Sequence, residues 1–465
     1  MSPHALFHRL AVCLCVCLLS TGSAGAEAPE ARFSLEQLRQ DAAFLAQEIP
    51  ARHPDLGHSA DPELFSLSLR RIEDGLTEPL TRDEAWNALS MLNPVLADGH
   101  LFVGIPNWRA EAEAHLERGG TFFPFEVQIT DEGSLLIRSA LGGAESPYAG
   151  ARLQSINGIN ARAVIAELLA RAHGDTPGFR SELVSRRWWF YYWKVYGAKD
   201  AFELVFFDRQ PVSVRVPGSR VNPDFLAEES DFARQFGIEM LSCRSALLTL
   251  KSFAWEDKAR FLAFTRDAFA RVRDAGVQTL IIDVRANGGG DDDFWTEGVL
   301  PYIATKPYRW GSTYRKRVLE EYLDEGETSG EIVSGAIDRW IQPEPENPLH
   351  FSGKVYLLIG RSTYSSAILL SNVIQDFGFG IVAGTGGSAR ANQSGGVQRI
   401  VLPNTGLVVY WPRFILARPS AARDPLYVKP DIEVAENLLN PREAVDTLLA
   451  RASTGCTEAK ATSSN

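Results

Sequence analysis

Ser365 stands where a turn, Thr363-Tyr364, leads from a strand into a helix. At a helix N-terminus, unpaired N–H groups and the positive end of the dipole face the side chain. They can stabilise an oxyanion formed there, as acyl transfer through a serine requires. Serine is also a common N-cap, and for this residue taken alone the cap is the simpler account. A second feature is the run Gly288-Gly289-Gly290, directly after the apolar strand Thr279–Val284. Glycines there let backbone N–H groups approach a ligand closely, at the sheet edge where α/β proteins place their sites. A tight turn is the plainer account of the run alone. Two other patterns carry less. Gly384-Thr385-Gly386-Gly387-Ser388-Ala389 matches a dinucleotide fingerprint but lacks the following helix and the acid about 20 positions on. Asp291-Asp292-Asp293 suits a helix start, and no His or Cys cluster accompanies it. No cofactor and no metal are expected.

The elements that must position these residues read as follows. Phe33 to about Leu96 is helical, with apolar spacing in Leu64–Leu76 and Asp83–Leu92 and a start at Thr81. Phe122–Ile129 and Leu135–Arg138 read as strands about a turn at Asp131–Ser134. Gly150–Gly158 is a strand ending in an Asn-Gly turn. A short helix follows, with Val164, Ile165, Leu168 and Leu169 on one face. The aromatic run Trp188–Trp193 fits packing between domains, or a substrate-binding wall. Then Ala246–Phe253, Thr279–Val284, Lys354–Ile359 and Ile381–Ala383 alternate as strands with helices at Asp257–Ala275 and Ser365–Asp376. That alternation predicts an α/β core. Val397–Leu402 and Leu407–Trp411 predict a hairpin, and the charged stretch Arg315–Glu331 a solvated helix and loop.

Six segments, occurring in the family's order, resemble the tail-specific (C-terminal-processing) and tricorn-core family of serine peptidases. Leu280-Ile281-Ile282-Asp283-Val284-Arg285-Ala286-Asn287-Gly288-Gly289-Gly290 is similar to its signature strand. Ser362-Thr363-Tyr364-Ser365-Ser366-Ala367 resembles its nucleophile segment, followed by Gln375-Asp376-Phe377-Gly378 and Val382-Ala383-Gly384. Tyr427-Val428-Lys429-Pro430-Asp431-Ile432 resembles the closing segment. Ala97-Asp98-Gly99-His100 resembles a segment of the histidine-containing branch, which includes retinoid-binding-protein-like members. The resemblance implies a crotonase/ClpP-like α/β core with an N-terminal helical region and a PDZ-like module. The implied boundaries are a signal peptide at 1–26, a helical region at 27–105, a PDZ-like module with the aromatic helix at 106–228, the core at 229–450 and a flexible tail at 451–465.

The same resemblance implies roles. Ser365 is the nucleophile, and the N–H of Ser366 with that of Gly288 or Gly289 forms the oxyanion hole. Many relatives use a lysine about 25 residues after the serine. Arg390 lies near that place, and no lysine occurs between Lys354 and Lys429. A guanidinium stays protonated and cannot be a base. Histidine titrates near neutrality, and His100 matches the motif that supplies the base. Asp424 matches the position of the group that orients it, with Asp98 as competitor. Ile368 and Leu101 depart from the family's usual Glu and Thr. His53, His58, His115, His173 and His350 lack a comparable context, although His53-Pro54 resembles an N-terminal feature of relatives.

A net charge of −11 argues against nucleic acid as a partner; a peptide or protein substrate is implied instead. The N-terminus reads as an export signal cleaved near Ala26. His4, His8 and Arg9 precede the apolar run Leu10–Leu19 and the small residues Ala24-Gly25-Ala26. The run is too short to span a bilayer, so a periplasmic or extracellular endopeptidase is expected. Removing the signal leaves Cys243 and Cys456, which can pair in an oxidising compartment. The alternative to a peptidase is a non-catalytic ligand- or peptide-binding protein on the same fold; an esterase using the same residues is a third reading.

Overall fold

The computed structural model describes residues 31–207, 212–437 and 439–452. The expected signal, Cys456 and nearly all of the expected tail lie outside them. Thr279–Asp283 is apolar and wholly buried because it lies inside a six-stranded sheet. The order is Ile432–Glu433, Ile381–Gly384, Lys354–Ile359, Thr279–Asp283, Ser245–Leu250, Phe236–Leu241. All neighbours are parallel except the last pair, which is antiparallel. Side chains alternate between faces along each strand. Leu280, Ile282, Leu357 and Ile359 meet Phe261, Phe269, Ile368 and Val373 from helices Lys258–Asp274 and Ser366–Phe377. Ile281, Tyr356 and Leu358 face the other way, onto Ala444, Val445 and Leu448 of helix Arg442–Ala452.

The N-terminal helices Leu35–Arg52, Pro62–Gly75 and Arg82–Leu89 start where their caps dictate. Ser34 and Thr81 each close a capping box, with Gln37 and Glu84 respectively. These helices do not stand apart from the core. Just past them, Phe102–Gly104 pairs antiparallel with Val408–Tyr410. Buried Asp41 accepts hydrogen bonds from the Asn404 N–H (3.0 Å) and Nδ2 (2.9 Å), and from the Thr405 N–H (2.9 Å) and Oγ1 (2.6 Å). The first helix thereby fixes the turn of the long hairpin Gln393–Val401/Val408–Leu416.

Between these parts lies an antiparallel sheet of Phe125–Ile129, Leu135–Ala140, Arg152–Ile156, Ala201–Phe206 and Val212–Pro217. The expected Asn-Gly turn is present: Asn157 and Gly158 have φ of 49° and 79°. The aromatic run forms helix Trp188–Tyr196, and Trp188, Trp189, Tyr191 and Tyr192 are buried in the core it shares with Trp86, Phe122 and Phe202. Packing is therefore its role. One expectation is corrected. The charged stretch Arg315–Glu331, expected as helix and loop, begins inside strand Thr313–Arg317, keeps a short helix at Glu320–Tyr322 and a loop, and ends at strand Ile332–Ala336; the first strand pairs with the second and with Val408–Leu416. Three consecutive charges, Arg315, Lys316 and Arg317, hid the first strand. The Lys316 stem is buried and its ammonium meets Asp324 (2.6 Å) and Glu327 (2.7 Å).

Removing the Asp41 carboxylate strands buried donors in the hairpin turn. Asp41→Ala is expected to lower stability by about 3 kcal/mol. Urea unfolding measures this, and a loss under about 0.5 kcal/mol, the size of a neutral surface change, contradicts it.

Candidate active site

The turn before Ser365 is built by hydrogen bonds to the neighbouring strand's end. The Gly360 N–H donates to Thr363 Oγ1 (2.9 Å), and that hydroxyl donates to the Val284 carbonyl (2.8 Å). The Tyr364 N–H donates to the Asn287 carbonyl (3.0 Å). Ser365 is thereby held at φ 52°, ψ −125°, costly for a residue with a Cβ. It occupies the N-cap position of helix Ser366–Phe377, yet its side chain makes no capping bond. The cap account thus fails, and the half-buried hydroxyl remains for other chemistry.

Gly289 lies directly against this residue. A Cβ on it would come 2.6 Å from Ser365 Cβ and 3.0 Å from the Ser366 nitrogen, so only glycine fits. Its own N–H donates to Asn287 Oδ1 (2.8 Å). Of the two expected donors, Gly288 is therefore the one left; it is exposed, and among the described residues its N–H has no acceptor. In the helix's first turn, Ala367 donates to the Tyr364 carbonyl and Ile368 and Leu369 to that of Ser365. Ser366 keeps its N–H free among the described residues. Its hydroxyl donates to Asp292 Oδ1 (2.5 Å) and accepts from Trp295 Nε1 (2.8 Å). Burial pushes the Asp292 carboxyl above its ordinary range. The acidic run is spent on this tie and on pairing Asp293 with Lys258 (2.8 Å).

His100 arrives from the N-terminal side. Its N–H donates to buried Asp98 Oδ1 (2.7 Å), and its Nδ1 lies 2.9 Å from Ser394 Oγ. The Ser394 hydroxyl has one proton, and it goes to Asp98 Oδ1 (2.8 Å). His100 must then donate from Nδ1, which leaves a lone pair on Nε2. Asp98 itself is 4.0 Å from Nδ1 and acts through Ser394. Burial lowers the His100 pKa below 6.5, against the opposing fields of Asp98 and Asp175, so the imidazole is neutral at neutral pH.

A buried clamp puts this histidine beside the turn that carries Ser365. The Tyr364 hydroxyl donates to Asp175 Oδ1 (2.6 Å). The Gly99 N–H reaches both Tyr364 Oη (2.9 Å) and Asp175 Oδ1 (3.1 Å). The Arg390 N–H donates to Asp175 Oδ2 (2.8 Å), and its guanidinium to the Ala97 carbonyl (2.7 Å). A Cβ on Gly99 would sit 2.5 Å from Tyr364 Cζ. The rings of His100 and Tyr364 lie 4.9 Å apart.

Asp424, expected to orient His100, is not brought there. It is exposed, ahead of a cis bond to Pro425. The polar neighbours of the imidazole are Ser394, Asp98 and Asp175. Sequence reasoning missed Asp175, Ser394 and Tyr364. Arg390, noted only as a lysine's replacement, is part of the clamp.

Residues 244–434 match the profile of peptidase family S41. That stretch, which holds Ser365 and the glycine run, is a peptidase family S41 domain. Among solved structures, the chain is similar to mature CPAF complexed with lactacystin: 16% identity, 90% of this chain and 97% of that one covered, TM-score 0.62. A second structure of mature CPAF matches at 15% identity, covering 90% and 96%, with TM-score 0.60. At these identities the likeness is one of fold, and it extends over 90% of this chain. No curated protein matches it.

Tyr364→Phe removes the hydroxyl that Asp175 and Gly99 share. A loss of about 2 kcal/mol is expected, measured by chemical denaturation; unchanged stability contradicts the clamp.

Proposed function

We propose that this S41 serine peptidase is an exported endopeptidase acting through an acyl-enzyme on Ser365, with His100 as general base. The observation that carries the reading is Ser365 itself: a strained, uncapped serine packed on Gly289, with the His100 segment bonded to the residue before it. His100 Nε2 takes the Ser365 hydroxyl proton as Oγ attacks the peptide carbonyl carbon. The N–H groups of Ser366 and Gly288 stabilise the oxyanion. The imidazolium then protonates the leaving nitrogen, the C–N bond breaks, and an amine departs. A water gives its proton to His100 and attacks the ester carbon, releasing an acid and restoring Ser365. Asp98, through Ser394, keeps the imidazole in the required tautomer, by the logic of a serine triad. We read the antiparallel sheet of Phe125–Pro217 as the PDZ-like module that presents substrate. The apolar run and small residues before position 27 support export to the periplasm or beyond.

A fluorophosphonate should label the mature protein once, at Ser365, and Ser365→Ala should abolish labelling and peptide hydrolysis together. Labelling elsewhere, or hydrolysis surviving in the variant, rejects the reading. The pH dependence carries a sign. The base works neutral, so kcat should fall only as pH drops through a His100 pKa held below 6.5. Asp98 opposes that depression. Asp98→Asn should therefore move the acid limb to still lower pH and reduce kcat by about 100-fold. A limb moving upward contradicts the assignment.

A further inference from the structure

Arg187 joins helices Pro177–Arg186 and Trp188–Tyr196, and its charge is not matched. The guanidinium lies over the rings of Trp108 (4.8 Å) and Phe225 (4.9 Å). Its Nε is buried and has no hydrogen-bond partner among the described residues. Glu229, whose field reaches it, is taken by Arg109 in a two-pronged pair of 2.6 and 2.7 Å. The residue is half-buried, and a charge drawn partly out of water is ordinarily paired, because leaving one alone is costly. Arg187 also lines a cavity of about 60 Å³ behind the Phe102–Gly104 strand. His173 lines the same cavity, and its Nδ1 is buried without a partner. Burial, then the charge of Arg187, holds His173 down at about 3, so it is neutral. Arg171 and Asn93 complete the polar wall, and no acidic residue lines the cavity. The rest is aromatic and aliphatic.

We infer that this cavity binds a small planar oxyanion of the carboxylate type, the size of formate or hydrogencarbonate. The rings of Trp108 and Phe225 lie against the guanidinium, and its planar fork of N–H groups suits two oxygens side by side. The volume is several times the roughly 10–15 Å³ a single water needs, and excludes a peptide. The anion would supply the counter-charge that Arg187 lacks. A hydrogencarbonate could in addition donate its O–H to His173 Nδ1, which formate cannot.

Thermal unfolding of the full chain in formate, hydrogencarbonate, chloride and gluconate, at equal ionic strength, tests this. Formate or hydrogencarbonate should raise Tm saturably, by about 4 °C at roughly 100 times the dissociation constant. A larger response to hydrogencarbonate assigns His173 a hydrogen bond; equal responses assign the site to carboxylates in general. Gluconate, too large for the cavity, should do nothing. Arg187→Met should lose the response. Line broadening of ¹³C-formate by the unaltered protein, reversed by excess unlabelled formate, gives a second readout should that variant fail to fold. No saturable rise and no broadening, an equal rise in chloride, or a response surviving in Arg187→Met overturns the inference.

Discussion

One buried carboxylate holds the site together. Asp175 accepts hydrogen bonds from the Gly99 N–H, the Tyr364 hydroxyl and the Arg390 N–H. Those donors belong to the segment carrying His100, the turn carrying Ser365 and the loop running into Ser394. Gly99 and Tyr364 are 265 positions apart, and neither packing nor strand pairing alone would set their approach to a few tenths of an ångström. A satisfied buried network does so, because each misplaced donor leaves a polar group without water or partner. Arg390 closes it: its guanidinium lies 3.5 Å from Asp175 and bonds the Ala97 carbonyl. Arg390 thus ties the segment carrying His100 to the loop running into Ser394.

The fold supplies what this network cannot. Strand ends of the parallel sheet carry both donors of the proposed oxyanion site, Gly288 after one strand and Ser366 after its neighbour. The strain at Ser365 persists because Thr363, Tyr364 and the following helix determine it on both sides. On the other side, Asp41 and the Phe102–Gly104 pairing fasten the N-terminal helices to the hairpin that bears Ser394. Stability and site geometry thus depend on the same contacts between distant parts of the chain.

Much of this was legible in the sequence, where a local pattern carries it. The α/β alternation, the Asn-Gly turn, the Thr81 start and the core strands follow from periodicity and turn chemistry. Ser365, the glycine run and His100 stood out through segments of contiguous residues. Asp175 did not, because a lone acid ahead of Thr176-Pro177 looks like any residue before a helix. Ser394 sits in a polar loop-to-strand stretch whose pairing only the fold reveals. The third member of the site was sought at Asp424 by position in the chain, whereas position in space favours Asp98 through Ser394. The first strand of the pair at Thr313–Ala336 was hidden because its consecutive charges Arg315, Lys316 and Arg317 mask the one that is buried, Lys316.

The central claim is that His100 serves Ser365 across an oxyanion site made by Ser366 and Gly288. The most direct measurement is a crystal structure of the protein phosphonylated at Ser365. The account predicts the phosphonyl oxygen within hydrogen-bond distance of the Ser366 and Gly288 nitrogens, with His100 Nε2 facing Ser365 Oγ and Nδ1 still on Ser394. An oxygen pointing to solvent, or a different side chain on Ser365 Oγ with His100 turned away, would contradict it.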